Sequence, residues 1–489
     1  MTTNATGAIP DALLIDGEWH RSASGGTIEL TEPATEKPLA AVPAASRKEL
    51  DRAIEGAAHA WDSETWRDAD PAQRTQVLYR IAAGIRARGE ELARLEARNV
   101  GKAIGDARWE VEAGAKCFDY YASAITRFWG KTVPLSGLGL NYTLNVPIGV
   151  VASIVPWNFP FLMACWKTAP ALATGNAVVL KPASQTPLTA LALGQIAMAA
   201  GVPPGILQVV AGRGSEIGDR LVTHPLVGKI SFTGETATGA RIVEKSAHDI
   251  KRVSLELGGK SPNIIFADAD VDEAARRSPM GVFANTGQDC CARSLVLVEK
   301  SVYERFLEGY LAATRALRVG DPLDDATEVG PMVSAGQRET SERYIEMARA
   351  EGGRVLCGGE RTRSPGYYLS PTVVDRLDFA SKVCQEEIFG PVAVVLPFES
   401  ESEAIRLANG TVYGLSGSLW TRDVSRALRV ARAVRSGVLG VNTTRSVFTE
   451  MPFGGFKHSG TGRDLGMEAM GLYTEVKSVY IEVGQDERA

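Results

Sequence analysis

The sequence is short of several things that would direct its reading elsewhere. No Cys-x-x-Cys pair occurs among its six cysteines, Cys117, Cys165, Cys290, Cys291, Cys357 and Cys384. No spacing of ligands suggests a metal, and none is expected. The only histidines are His20, His59, His224, His248 and His458, none of them in the Cys290 stretch. That weighs against a hydrolase built on a Cys-His pair. The Gly-x-Gly-x-x-Gly dinucleotide fingerprint is missing, as are internal repeats and low-complexity linkers. A net charge of −5 and a pI of about 5.8 give no basic field for nucleic acid. The longest apolar runs, such as residues 148–155, are too short to span a bilayer, so no membrane partner is expected. The start, Met1-Thr2-Thr3-Asn4-Ala5, has neither a basic region nor an apolar h-region. With scattered free thiols, a reducing cytoplasm is the expected compartment.

What is present is a long, apolar chain. Its 489 residues, 45% of them hydrophobic, suffice for two or three domains. Fifty glycines fit the many tight strand-to-helix turns of an α/β protein. Residues 13–19 read as a short strand and turn. Ser46-Arg47-Lys48-Glu49 is a capping box that opens a helix with Leu50, Ile54, Ala58 and Trp61 on its apolar face. Asp70-Pro71 repeats the start signal, and Val77, Leu78, Ile81, Ile85, Leu92 and Leu95 follow at helical spacing. The N-terminal third thus reads as helical packing without chemistry. At 141–146 the period changes to 2, predicting a half-exposed strand, and Gly137 and Gly139 before it suggest a hairpin.

From 149 to 256, β-branched apolar runs at 150–155, 177–180, 207–210, 229–232 and 253–257 alternate with helical stretches. This is the rhythm of a doubly wound parallel sheet, the usual home of a dinucleotide. A second α/β block follows from 257 to 444, with Ser301-Val302-Tyr303-Glu304 expected to cap one of its helices. The tail, 473–483, predicts a final strand. It has no neighbour in its own region, so pairing with the 141 hairpin is expected, with another subunit as one source of that partner.

The chemistry centres on Asn285-Thr286-Gly287-Gln288-Asp289-Cys290-Cys291, two thiols side by side after a Gly-Gln turn. Two cysteines alone are more often small buried hydrophobes. Their significance comes from other stretches: Pro156-Trp157-Asn158-Phe159-Pro160, Lys181-Pro182-Ala183-Ser184, Phe232-Thr233-Gly234, Glu256-Leu257-Gly258-Gly259-Lys260, Glu387-Ile388-Phe389-Gly390-Pro391 and Pro452-Phe453-Gly454-Gly455. In this order and spacing they resemble the NAD(P)-dependent aldehyde dehydrogenase superfamily over nearly the whole chain.

That resemblance implies an aldehyde-dehydrogenase-like α/β fold. A Rossmann-like cofactor domain would take residues 1–125 and 148–257, with 449–470 returning to it. An α/β catalytic domain would take 258–448, and a β oligomerisation hairpin 126–147 and 471–489. The resemblance further implies oxidation of a small-molecule aldehyde to a carboxylic acid, with NAD or NADP as cofactor, in a homodimer or homotetramer. Cys290 matches the nucleophile, and Glu256, 34 residues earlier, matches the general base. A thiolate adds to the carbonyl to give a thiohemiacetal, which expels hydride as an aldehyde cannot, and water activated by Glu256 hydrolyses the resulting thioester. The family's acylating branch lacks that carboxylate, so release of a free acid is expected. Asn158 matches the oxyanion donor.

For the cofactor, the resemblance implies Val155, Pro156, Trp157, Lys181, Ser184, Phe232, Thr233, Gly234, Glu235, Leu257, Glu387 and Phe389. Phe232-Thr233-Gly234 ends a strand and opens a helix running to Gly239, whose N–H groups suit a pyrophosphate. Glu235 departs from the small residue usual there and is expected to point aside. Ser184 stands where many NAD-preferring members carry Glu, leaving NADP open. For the substrate the match implies Phe159, Met163 and Trp166 on one helical face, with Phe453 opposite, and the loop carrying Arg445 and Val447. Arg445 could read a substrate carboxylate, although a surface arginine fits equally. Arg293 and Leu295 depart from the family's Gly-Ser-Arg run. Competing readings are a Cys-dependent thioesterase or acyltransferase, for which Glu387-Ile388-Phe389 has no purpose, and a non-catalytic protein retaining the fold.

Overall fold

The computed structural model describes residues 11–21, 24–136 and 139–482. Two large sheets dominate. The first has eight strands in the order Gly460–Thr461, Arg252–Glu256, Val227–Thr233, Val150–Ile154, Ala177–Lys181, Leu207–Val209, Leu13–Ile15 and Glu18–His20. Its five inner strands, from Arg252–Glu256 to Leu207–Val209, are parallel. They are covered on both faces, which is why their sequences are continuously apolar rather than alternating. The chain lays down Val150–Ile154, Ala177–Lys181 and Leu207–Val209 in one direction, then returns to place Val227–Thr233 on the other side of Val150–Ile154. That reversal opens a crevice beyond the carboxyl ends of these two strands, where α/β sheets bind ligands.

The second sheet runs Arg354–Cys357, Thr372–Asp375, Val392–Phe398, Leu295–Glu299, Pro262–Ile265, Ser418–Trp420, Gly440–Val441. All its neighbours are parallel except the first pair. Alternate residues feed two separate cores: Leu295, Leu297 and Val394 on one face, Val296, Val298 and Val395 on the other.

The Ser46 capping box forms around the helix Arg47–Asp62, with the Ser46 N–H donating to Glu49 at 2.7 Å. Pro71–Ala87 begins at Asp70 as its sequence predicts. The helical spacing from Val77 to Leu95, however, is two helices. Arg88, at φ −108° and ψ 16°, breaks it, and a second helix, Gly89–Val100, follows. The N-terminal third is also less helical than its periodicity suggests. Leu13–Ile15 and Glu18–His20 join the first sheet, and Thr27–Glu32 pairs with Lys37–Pro43 in a ribbon that sequence reading missed. Ser301 does not cap the helix Tyr303–Ala316; a single 3-10 turn, Lys300–Val302, precedes it and the Ser301 hydroxyl donates to Glu299 at 3.3 Å.

The tail strand, Thr474–Glu482, pairs antiparallel with Gly139–Pro147 of the same chain over nine residue pairs. The expected pairing with the 141 stretch is thus present, its partner lying in the same chain. One expectation is corrected: residues 131–133 flank Gly139–Pro147 through bonds to Thr143 and Asn141 rather than as the second arm of a hairpin. Gly137 and Val483, named in those expectations, lie outside the described residues. The ribbon stands away from the core with Leu140, Leu144, Tyr480 and Ile481 exposed and Val476 at 68% exposure. Among the described residues no helix is long and apolar enough to cross a membrane.

Candidate active site

The loop that presents Cys290 is built from residues in an unfavourable backbone region. Asn285, Thr286 and Gly287 have φ of 49°, 57° and 71°. Only Gly287 is free of a side-chain penalty there, and it must be glycine for a second reason: a Cβ would sit 2.2 Å from the Gly390 carbonyl. Surrounding hydrogen bonds hold the other two. Asn285 Nδ2 donates to the carbonyls of Asn158 (2.9 Å) and Gln288 (3.1 Å), and Thr286 Oγ1 donates to Gly330 (3.0 Å). The Gln288 side chain spans Asn285 and Val333.

Cys290 is half-buried and Cys291 buried. Their sulfurs and a carboxylate oxygen of Asp289 lie within 4.8 Å of one another, and the Cys291 N–H donates to Asp289 at 2.9 Å. A hydrogen bond with Cys291, followed by burial and the nearby Asp289 and Glu387 carboxyls, pushes the Cys290 thiol well above its ordinary range.

Glu256 ends the strand Arg252–Glu256 at the crevice. It is 4% exposed and neither carboxylate oxygen has a hydrogen-bond partner. Burial, then the charge of Asp464, raises its pKa well above that of an ordinary carboxyl, against the opposing pull of Lys167 and Arg463. Space for it depends on Gly454, where a Cβ would come within 2.5 Å of Glu256 Oε1. The 453–464 segment folds over it, tied by paired N–H···O bonds between Phe453 and Asp464 at 2.7 Å. Asp464 itself is buried and paired with Lys167 at 2.9 Å. Gly454 falls in a motif noted in the sequence, but neither its role in making room for Glu256 nor this ion pair was read there.

Asn158 lies in the turn between Val150–Ile154 and the helix Pro160–Ala173. It is buried, and its Nδ2 donates to the Gln288 carbonyl at 2.9 Å. Its own carbonyl accepts from Lys102 at 2.8 Å, and the buried Lys102 is paired with Glu110. The N-terminal third therefore does reach the site: Lys102 touches it, and Asp106 and Trp109 line the cavity, against the expectation that this region carries no chemistry.

One cavity of about 1280 Å³ joins these parts. Cys290, Glu256 and Asn158 line it, as do all the residues expected to meet cofactor and substrate. At one end Phe159, Met163, Trp166, Phe453 and Val447 form an apolar wall. Phe159 precedes the helix rather than lying within it, and Trp166 meets Phe453 edge-on at 5.2 Å between ring centres. Arg445 is exposed at this end, whereas Arg293 is buried beside it.

The other end is the crevice at the strand reversal. Val227–Thr233 ends there, and the helix Thr236–Ser246 starts after Gly234-Glu235 and runs past Gly239, further than the sequence suggests. Glu235 is exposed and turned toward the Thr238 hydroxyl, which donates to it at 3.5 Å, aside from the helix end. Lys181, at the tip of Ala177–Lys181, is buried with one hydrogen-bond partner, the Pro182 carbonyl at 3.2 Å, and burial brings its pKa down to about 8. Ser184 is half-buried, and no Glu takes its place. Between the two ends Glu387 accepts the Gly259 N–H at 3.0 Å, and burial raises its pKa to about 7. Trp157 and Phe389 meet edge-on at 5.1 Å, with Phe389 at φ 57°.

This crevice fits a dinucleotide. It lies at the sheet's switch point beside a helix N-terminus, and the buried Thr233 Oγ1 there has no partner. A half-buried thiol, an unpaired buried carboxylate and a dinucleotide crevice sharing one cavity are the parts of a nicotinamide-dependent oxidoreductase.

Comparison with known proteins agrees. Residues 19–479 match the model of the aldehyde dehydrogenase family. The chain is 43% identical to phenylacetaldehyde dehydrogenase of Pseudomonas fluorescens over 97% of its length and 96% of that protein's. It superposes on the P. syringae indole-3-acetaldehyde dehydrogenase in complex with NAD+ and IAA with a TM-score of 0.96, at 40% identity and 97% coverage of both chains. For the NAD+ complex of betaine aldehyde dehydrogenase from Staphylococcus aureus the TM-score is 0.95, at 35% identity, covering 97% of this chain and 95% of that one. The chain belongs to the aldehyde dehydrogenase family and is an NAD(P)-dependent aldehyde dehydrogenase.

A stability consequence follows from the isolation of Glu256. Folding raises its pKa, so its ionisation is resisted only in the folded state. The penalty is absent below its unfolded pKa, near 4.5, and grows as pH rises toward the folded value. Glu256→Gln is expected to unfold at higher temperature than wild type, with a gap that widens from pH 5 to pH 8. Melting curves across that range check this; a gap that narrows as pH rises contradicts it.

Proposed function

We propose that Cys290 is the nucleophile, Glu256 the general base and Asn158 an oxyanion donor for oxidation of an aldehyde to a carboxylic acid. The observation that carries this reading is that Cys290 shares one cavity with a buried carboxylate, Glu256, whose oxygens have no hydrogen-bond partner. A thiol whose pKa is raised needs a base to ionise it. A carboxylate whose pKa is raised is a stronger base than usual once ionised, and its oxygens are free to hold water.

The Cys290 sulfur adds to the carbonyl carbon and forms a thiohemiacetal. One N–H of the Asn158 amide is held by Gln288; the other is available to the oxyanion, with the Cys290 backbone N–H as second donor. The nicotinamide cofactor, when bound, supplies the hydride acceptor. The resulting thioester on Cys290 is attacked by water from which Glu256 removes a proton, and the acid leaves as the thiol re-forms.

For the cofactor, the Thr236–Ser246 N-terminus would face the pyrophosphate, with Val155, Pro156, Trp157, Phe232, Thr233, Gly234, Glu235 and Leu257 around it. Lys181 and Ser184 would meet the adenine ribose, and Glu387 and Phe389 the nicotinamide end. Ser184 brings no negative charge against a 2′-phosphate, so both NAD and NADP are candidates. The apolar wall would take the aldehyde's body.

The division of the chain supports the same reading. The first sheet with residues 449–470 folded against it would form the cofactor domain, and the second sheet the catalytic domain. The exposed ribbon of Gly139–Pro147 and Thr474–Glu482 would form the interface of a homodimer or homotetramer. A cytoplasmic location fits the free thiols.

Aldehyde-dependent reduction of NAD or NADP, followed by absorbance, tests the chemistry. Cys290→Ala should abolish it while Cys291→Ala does not. Asn158→Ala should lower kcat by roughly 10²- to 10³-fold, and Glu256→Gln should leave an acyl group on Cys290, detectable as added mass. Full activity in Cys290→Ala, with loss in Cys291→Ala, would move the nucleophile to the neighbour. For the assembly, Val476→Asp should lower the sedimenting mass; a wild-type monomer, or an unchanged oligomer in the variant, contradicts the ribbon interface.

A further inference from the structure

Arg293 has no part in the steps above, yet it lines the same cavity two residues after Cys291. It is 5% exposed and is the arginine in the buried set among the described residues. Its Nε donates to Ser418 Oγ (3.3 Å), Nη1 to the Cys291 carbonyl (3.0 Å) and Nη2 to Ser446 Oγ (2.6 Å). These bonds fix the plane of the guanidinium and use three of its five N–H groups. All three partners are neutral, and among the described residues no carboxylate pairs with it.

A buried cation without an anion is costly. Other interior cations escape that cost in two ways. Lys102 and Lys167 are paired with Glu110 and Asp464. Lys181, Lys229 and Lys260 have pKa values brought down by burial to about 8, 7 and 8, so each can shed its proton. A guanidinium cannot deprotonate in this way. Arg293 has neither outlet, and the cavity it lines is where an anion can reach it.

We infer that Arg293 binds a carboxylate on the substrate, and that the enzyme oxidises aldehydes carrying a carboxylate group in preference to their neutral counterparts. The planar fork with two free N–H groups matches a carboxylate bidentately, and a single positive charge matches its single negative charge. Ser446 adds a hydroxyl at the same place. Arg445, the sequence-level candidate for this role, is exposed at the lip and leaves the buried position to Arg293. This inference rests on the aldehyde oxidation proposed above.

The test is kcat/KM for matched pairs, 4-oxobutanoate against butanal and 4-carboxybenzaldehyde against 4-methylbenzaldehyde, with wild type, Arg293→Lys and Arg293→Met. Wild type should favour the acids by roughly tenfold or more, chiefly through KM. Arg293→Met should erase that ratio and Arg293→Lys should retain part of it. Should Arg293→Met fail to fold, the wild-type ratios still decide, together with inhibition by glutarate against pentanoate, where glutarate should bind more tightly to wild type than to Arg293→Lys. Wild type that oxidises the neutral members as well as the acids overturns the inference and leaves the aldehyde oxidation standing. Wild type that oxidises no member of either pair overturns the oxidation with it.

Discussion

The site depends on a left-handed backbone run at Asn285, Thr286 and Gly287. Each non-glycine residue in such a conformation costs about 1–3 kcal/mol, and two stand in succession. They persist because the surroundings over-determine them: Asn285 and Gln288 bond across to Asn158 and Val333, Thr286 to Gly330, and Gly287 lies against Gly390 where no Cβ fits. The same bonds that hold the Cys290 loop also reach the backbone of Asn158. The thiol and the amide therefore cannot shift independently. Lys102 and Glu110 fix this junction from behind, and Glu110 accepts the Leu162 N–H at the start of Pro160–Ala173. Residues far apart in the chain become one rigid corner.

Within that corner, burial sets the chemistry. Glu256 is buried and Cys290 half-buried, and both hold their protons more tightly than they would outside. At Glu256 burial and the charge of Asp464 outweigh the pull of Lys167 and Arg463. In the proposed mechanism the thiol ionises through the carboxylate, whose strength as a base comes from the isolation that makes it unfavourable to the fold. On that proposal stability is given up at Glu256 for reactivity, the pattern expected of a working site.

Much of this was legible in the sequence. The parallel strands of the first sheet could be read because their apolar runs are long and unbroken, and Phe232-Thr233-Gly234 because a strand end, a turn and a helix start fall together. Cys290, Glu256 and Asn158 are marked by short motifs in a fixed order. What could not be read was set by contacts across the chain. The break at Arg88 leaves the apolar period undisturbed. Nothing local distinguishes Lys102 or the Lys167–Asp464 pair, and the motif around Gly454 does not show what it faces, since each acquires its role from a partner tens to hundreds of residues away. Arg293 stood out only as a departure from a pattern; its burial without an anion is visible only in three dimensions.

The central claim is that Glu256 is the base for the Cys290 thiol. The most direct measurement is the rate of Cys290 alkylation by iodoacetamide against pH, in wild type and in Glu256→Gln, with the modified residue located by mass spectrometry. A carboxylate that serves as base should make wild type reactive from the pH at which Glu256 ionises, above the ordinary carboxyl range. The Gln variant should react only at the higher pH where the thiol ionises unaided. Superimposable profiles for the two proteins would contradict the account.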